Sequence, residues 1–243
     1  MRILVIALVL LLSSAPAFAD PIDDAMKALH QEDDKTALKI LQPLADQGNA
    51  AAQVKLGEFY EVNQPKVKQP DYVEAMRWWQ KAAKQGNIEA QGHLGEMYSF
   101  GLGTKKDPKE AFKWFLIAAK QGDSWAQSMV GMCYRDGKGV KQDGSKAVSW
   151  LKKSAEKADV FPSSNLFLIY RDGLAGIKPD YTEASFWCQL MMEYSPAIPA
   201  SRAATALAEE CDDTEKKLTE KQKDEMRKKL KEWDTNHPQP SKN

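Results

Sequence analysis

The chain has 243 residues, 34 basic and 34 acidic side chains, 43% apolar residues and three cysteines. That length and apolar content suit one globular or repeat unit with a real core. Balanced charge gives no pointer to a nucleic-acid partner, and three cysteines are too few for a disulfide-rich framework.

In chain order the first element is an export signal. Arg2 supplies a positive n-region, Ile3 to Leu12 form an apolar run, and the "SSAPAFA" after it ends in Ala17-Phe18-Ala19. Small residues at Ala17 and Ala19 suit cleavage before Asp20. The run is too short for a stable bilayer anchor, and no cysteine follows it for lipid attachment. The expectation is a signal peptide over 1–19 and a mature chain that is periplasmic or secreted, without stable membrane insertion.

The next segments repeat. "GNAAAQVKLGEFY" (48–60), "GNIEAQGHLGEMY" (86–98) and "GDSWAQSMVGMCY" (122–134) are versions of one segment, and "ADVFPSSNLFLIY" (158–170) is a worn fourth. Their tyrosines, Tyr60, Tyr98, Tyr134 and Tyr170, lie 38, 36 and 36 residues apart. Each is followed by a second segment with a tryptophan in phase: Trp78, Trp114, Trp150 and Trp187. A leading half-copy, "DKTALKILQPLADQG" (34–48), has Ile40 at the tryptophan position.

Each copy reads as two helices. Ala90, Leu94, Met97 and Tyr98 share one face of the first. Gly57, Gly95 and Gly131 recur beside that face, where a missing side chain lets helices approach. Asp71, Asp107, Asp143 and Asp180 are N-caps of the second. Glu74, Glu110 and Glu183 sit three residues on, where they complete capping boxes, and Lys146 breaks the pattern. Pro108 fits a first helical position. Gly48, Gly86 and Gly122 end helices in the left-handed region. "GLG" (101–103) and "GKG" (137–139) resemble phosphate loops but follow no strand, so they read as turns. The phase of the tryptophans makes them core residues.

Taken together these features resemble the Sel-1-like repeat, a relative of the tetratricopeptide repeat, over roughly residues 34 to 194. The pattern is A-x-x-x-L-G-x-x-Y-x-x-G-x-G…D-x-x-x-A-x-x-W-x-x-x-A-A-x-Q-G. The first copy departs at "EVNQPKVKQP" (61–70), and the fourth has Phe167 in place of glycine. The resemblance implies an all-α fold: a right-handed α-solenoid of about four stacked hairpins, with capping helices over 20–48 and 195–235, repeats over 49–194 and a disordered tail over 236–243. It also implies an adaptor, not a catalyst, that binds a protein or peptide of the cell envelope on a concave face. "LTEKQKDEMRKKLKEW" (218–233) resembles the closing helix of bacterial exported members. The alternatives are a self-assembling structural protein, or a hydrolase of cell-wall or β-lactam substrates as in a cysteine-rich branch. That branch carries a cysteine pair in each repeat, which this chain lacks.

No residues order themselves into a catalytic triad, and no cofactor or metal is expected. His93 has no histidine companion nearby in sequence and reads as a surface residue. Cys133 sits at an apolar repeat position and reads as a buried thiol. If a disulfide forms, it joins Cys188 and Cys211, which export permits. A tight turn at Ser195-Pro196 argues against it, because residue 204 would then lie opposite 188, leaving about 10 Å of mismatch.

A partner site is expected on the first helices. With Ala52, Leu56, Phe59 and Tyr60 inward, positions 54 and 58 point away and 55 lies at the margin. The first two copies are mostly polar there. The third and fourth hold Ser128, Met129 and Met132, then Ser164, Asn165 and Leu168. Trp125, Met129, Met132 and Leu168 form a candidate docking patch, with Glu58 and Glu96 as its polar continuation. The other reading has the helices after residue 195 folding back over these side chains.

Overall fold

The computed structural model describes residues 20–62, 70–157, 160–174, 176–194 and 202–237. The expected signal peptide and most of the expected tail lie outside them. The described residues form twelve helices: α1 (Pro21–His30), α2 (Asp34–Asp46), α3 (Ala50–Glu61), α4 (Tyr72–Lys84), α5 (Ile88–Phe100), α6 (Pro108–Lys120), α7 (Ser124–Asp136), α8 (Gly144–Ala155), α9 (Val160–Asp172), α10 (Tyr181–Tyr194), α11 (Arg202–Glu215) and α12 (Glu220–Asn236). An isolated β-bridge between Leu174 and Ile177 closes the turn of the last hairpin. Each odd helix from α3 to α9 packs on the even helix that follows, and each even helix packs on the next hairpin. The result is an all-α solenoid.

Local chemistry places the boundaries. The side chains of Asp71, Asp107 and Asp143 accept from the backbone N–H groups of Glu74, Glu110 and Lys146. The return bond of a capping box is described only at α12, between Thr219 and Gln222. Glu74 and Glu110 turn instead to Arg77 and Lys113 one helical turn on, where a cation competes for the carboxylate. Gly103 and Gly139 have φ of 65° and 73°. A Cβ on either would strike the backbone carbonyl of Tyr72 or Pro108 in the preceding hairpin. The glycine turns are thus contact points between hairpins.

The core is a series of knobs set against missing side chains. Gly57, Gly95 and Gly131 each face one residue of the partner helix: Trp79, Phe115 and Leu151. Those residues are 0%, 1% and 0% exposed. The recurring tryptophan one position earlier is less uniform than expected. Trp78 and Trp187 are buried, but Trp114 and Trp150 are only half-buried. In the fourth copy the sizes exchange: Phe167 stands at the glycine position and Cys188 at the knob position, and both are buried in one cluster. A large residue replaces the glycine where a small one replaces the aromatic, so the space is filled either way.

A polar ladder runs through the stack. Gln53, Gln91 and Gln127 are buried and donate to the carbonyls of Ala45, Ala83 and Ala119 at the end of the preceding helix. Gln85 and Gln121, just after the next helix, donate back to Gln53 and Gln91 at 2.8 and 2.6 Å. Lys157 occupies the corresponding place in the third hairpin and bonds Gly122 O instead. Gln127 Oε1 is therefore left without a partner.

At the C-terminal end, Leu207, Cys211, Met226, Leu230 and Trp233 join the cluster built by α8–α10. Cys188 and Cys211 are joined, with Cα atoms 5.7 Å apart. The turn expected at Ser195-Pro196 lies outside the described residues, but its register does not hold, since Cys211 rather than residue 204 is bridged to Cys188. Glu183 locks the end. Its carboxylate meets Lys152 of α8 at 3.0 Å and Lys229 of α12 at 2.7 Å, and accepts from Trp187 Nε1 at 3.2 Å.

Candidate functional site

The first helices α3, α5, α7 and α9 carry the side chains singled out from sequence. Their geometry differs from a single-sided helical wheel. Val54 and Ser128, expected to point away, are 1% and 0% exposed. Each first helix is covered by its own partner and by the neighbouring hairpin, so a second stripe is buried. Val54 joins the cluster of α4 and α5, and Ser128 bonds Ser154 at 2.8 Å.

The rows at 55 and 58 stay partly open. Trp125 and Glu96 line one cavity of about 700 Å³, shared with Ile88, Glu89, His93 and Asp123. Met129 and Met132 line another of about 380 Å³ with Phe100, Pro108 and Cys133. Leu168, 39% exposed, borders a third beside Arg135 and Gly173. The two latter cavities share Asp136. Met129 packs against the α6–α7 cluster, to which no described side chain of α11 or α12 contributes. The closing helices instead cover the last hairpin.

Glu58 lies at the edge of the first cavity's acidic surroundings. Lys55 Nζ is 2.7 Å from Glu58 and 3.6 Å from Glu89. Burial raises the pKa of Glu58, and the Glu89 carboxylate adds to the rise while Lys55 opposes it. Burial likewise raises that of Glu61, with Glu96 and Glu58 adding repulsion. His93 is part-buried, with its side chain 21% exposed, rather than a freely exposed surface residue. It stacks on Trp79 with ring centroids 4.2 Å apart and planes 6° apart. Burial works against its positive charge, but Glu96, Glu61 and Glu58 outweigh that and raise its pKa. Sequence reading missed this group because its members come from two repeats at unequal positions. The weak signal is the glutamate pair Glu58 and Glu61, one helical turn apart, with Glu58 in the same repeat row as Glu96.

Cys133 is a buried free thiol whose pKa burial pushes up to about 11. At ordinary pH it is protonated and unreactive.

A stack of helical hairpins held by recurring knobs, caps and glutamines defines an α-solenoid repeat protein. The Sel1 repeat pattern matches residues 50–87, 88–123, 126–159 and 164–191, more than half of the chain. The chain belongs to the Sel1 repeat family. Proteins of this family generally act as protein-interaction scaffolds, and their fold is typically non-catalytic. The solved Sel1 repeat protein of Oxalobacter formigenes is similar at 28% identity and a TM-score of 0.63, over 71% of this chain and 70% of that one. A protective antigen of uropathogenic Escherichia coli with an SLR fold is similar at 26% identity and a TM-score of 0.50, over 89% of this chain and 53% of that one. Among curated proteins none matches. No helix among the described residues is long and apolar enough to cross a membrane.

Proposed function

We propose that this chain is an exported, non-catalytic docking module whose first-helix face takes a lysine- or arginine-bearing segment of a cell-envelope protein. The observation that carries the reading is the cavity between α5 and α7. Glu89, Glu96 and Asp123, the last also capping α7, line the same space as Trp125 and His93. A cation entering there gains both the carboxylates and an aromatic ring, a pairing worth about 0.5–2 kcal/mol for the ring alone. Gly92 lies beside that ring, where a Cβ would stand in ordinary contact at 3.6 Å. With Glu58 and Glu61 just outside, acidic groups outnumber Lys55 and His93, which favours basic partners and speeds their encounter. Export is supported by Arg2, the apolar run and the Ala17 and Ala19 positions.

The test is peptide display against the mature chain, with Trp125→Ala and Glu96→Lys as controls. The reading expects recovered peptides rich in Lys and Arg, and their loss with either variant while the helical circular dichroism is unchanged. Recovery of acidic or purely apolar peptides, or equal binding by both variants, overturns it.

A further inference from the structure

We infer that Glu61, His93 and Glu96 form a binding site for a divalent cation of the zinc class. The inference does not rest on the docking reading. One ligand atom from each of the three residues lies within 4.8 Å of the other two. They come from the last turn of α3 and the middle of α5, which pack against the same helix α4.

Several observations separate this group from an ordinary acidic surface. His93 Nδ1 is shielded from solvent and has no hydrogen-bond partner. Its nearest carboxylate oxygen, Glu96 Oε2, is 3.6 Å away. Two donors on a tetrahedral zinc stand about 3.4 Å apart, so this pair is already near ligating separation. The ring is held flat on Trp79, which fixes its direction as an outer-shell contact would. Glu61 has no described ion pair with any lysine or arginine, and sits partly buried among carboxylates of its own sign.

An overlapping group, Glu58, Glu89 and His93, meets the same distance criterion. Lys55 already sits on both of its carboxylates. A metal there would have to displace that ammonium. Among the described residues no lysine or arginine pairs with Glu61 or Glu96, so the geometry selects Glu61, His93 and Glu96.

The donor set is one imidazole and two carboxylates. It suits zinc, and cobalt as its spectroscopic substitute, over magnesium or calcium, which take oxygen ligands alone. Three protein ligands leave a position open to water or to a donor from a partner.

The test is calorimetric titration of the chelator-treated full chain with zinc chloride in a buffer free of phosphate, followed by cobalt absorption spectra. Expected are a single site per chain, a visible cobalt band, and at least about tenfold weaker binding in His93→Ala and in Glu61→Gln. Glu58→Gln, which leaves the three ligands in place and removes only a neighbouring charge, should weaken zinc binding less than either ligand variant does. Glu61→Gln also guards against misfolding, because Glu61 lies at a helix end and His93 stacks on a core ring. Absence of zinc binding up to millimolar concentration overturns the inference. So does binding that survives both His93→Ala and Glu61→Gln, or that Glu58→Gln abolishes while Glu61→Gln does not.

Discussion

Adding one methyl group at Gly95 separates two opposed effects. In an exposed helix, replacing an interior glycine by alanine gains about 1 kcal/mol from propensity. At Gly95 the new Cβ would fall on the Phe115 ring, with Cγ at 2.9 Å and two ring carbons closer still. Carbon atoms in contact prefer about 3.5–4.0 Å. Phe115 is 1% exposed and belongs to the α6–α7 cluster, so it has little room to withdraw. Overpacking of this kind costs about 1–3 kcal/mol. The overlap is with the near side of the ring, which favours the upper part of that range. Gly95→Ala should therefore destabilise by about 1–2 kcal/mol net. Phe115→Cys copies the small residue of the fourth hairpin and should by itself cost about 3 kcal/mol through the cavity it leaves. In that background the same methyl group enters space, and Gly95→Ala should turn stabilising. A double-mutant cycle read by urea denaturation should give a favourable coupling of about 2 kcal/mol or more. Stabilisation by Gly95→Ala in the unaltered chain, or a coupling near zero, would refute knob-against-glycine packing.

Further outcomes follow from the same structure. Glu183→Ala should destabilise by roughly 2–3 kcal/mol, less than for a wholly buried pair because Lys152 and Lys229 keep part of their solvent, and should free α12 to faster hydrogen exchange. Lys229 and Lys152 hold the Glu183 carboxyl below the ordinary value of 4.5 despite opposing burial. Its contribution is thus complete above that value and lost as pH falls through the lowered one. Acid titration of the melting temperature should show a smaller loss in Glu183→Gln than in the unaltered chain; equal losses would discount this lock. Reducing Cys188–Cys211, separated by 23 positions, should remove roughly 3 kcal/mol in the chain-entropy model. Peptide mapping without reductant that finds both as free thiols would end that account. Gln91→Leu should cost about 1–3 kcal/mol, since it strips the buried carbonyl of Ala83 of its side-chain donor and leaves Gln121 only Ile117 O. Gln127→Leu should cost less, because Gln127 Oε1 already has no partner. Equal effects in chemical denaturation would argue against a continuous ladder.

The repeat, its caps and its turns were legible in the sequence because each rests on a local residue requirement repeated in phase. Gly86 and Gly122 announce left-handed helix ends by identity alone, at φ of 88° and 94°. The burial of Val54 and Ser128 was not legible, because a one-helix wheel has one inside and a stacked helix has two. The half-exposure of Trp114 has the same origin: phase identifies a recurring position without saying which neighbour lies deepest. The glutamines of the ladder recur visibly, but their polarity hides that they are core. His93 was misjudged because only Glu96 and Glu89 share its helix, and the carboxylates of Glu58 and Glu61 come from another hairpin, brought close by stacking. The bridge from Cys188 to Cys211 depends on how α11 is set against α10, which local rules do not fix.

The central claim is that the first-helix face between α5 and α7 is the docking surface for a basic segment. Hydrogen-exchange mapping with a Lys- and Arg-rich peptide recovered by display tests it most directly. The account predicts added protection over 88–100 and 124–136, weakened by salt and absent in Trp125→Ala. Protection confined to α6, α8 or the closing helices, or persisting in Trp125→Ala, would contradict it.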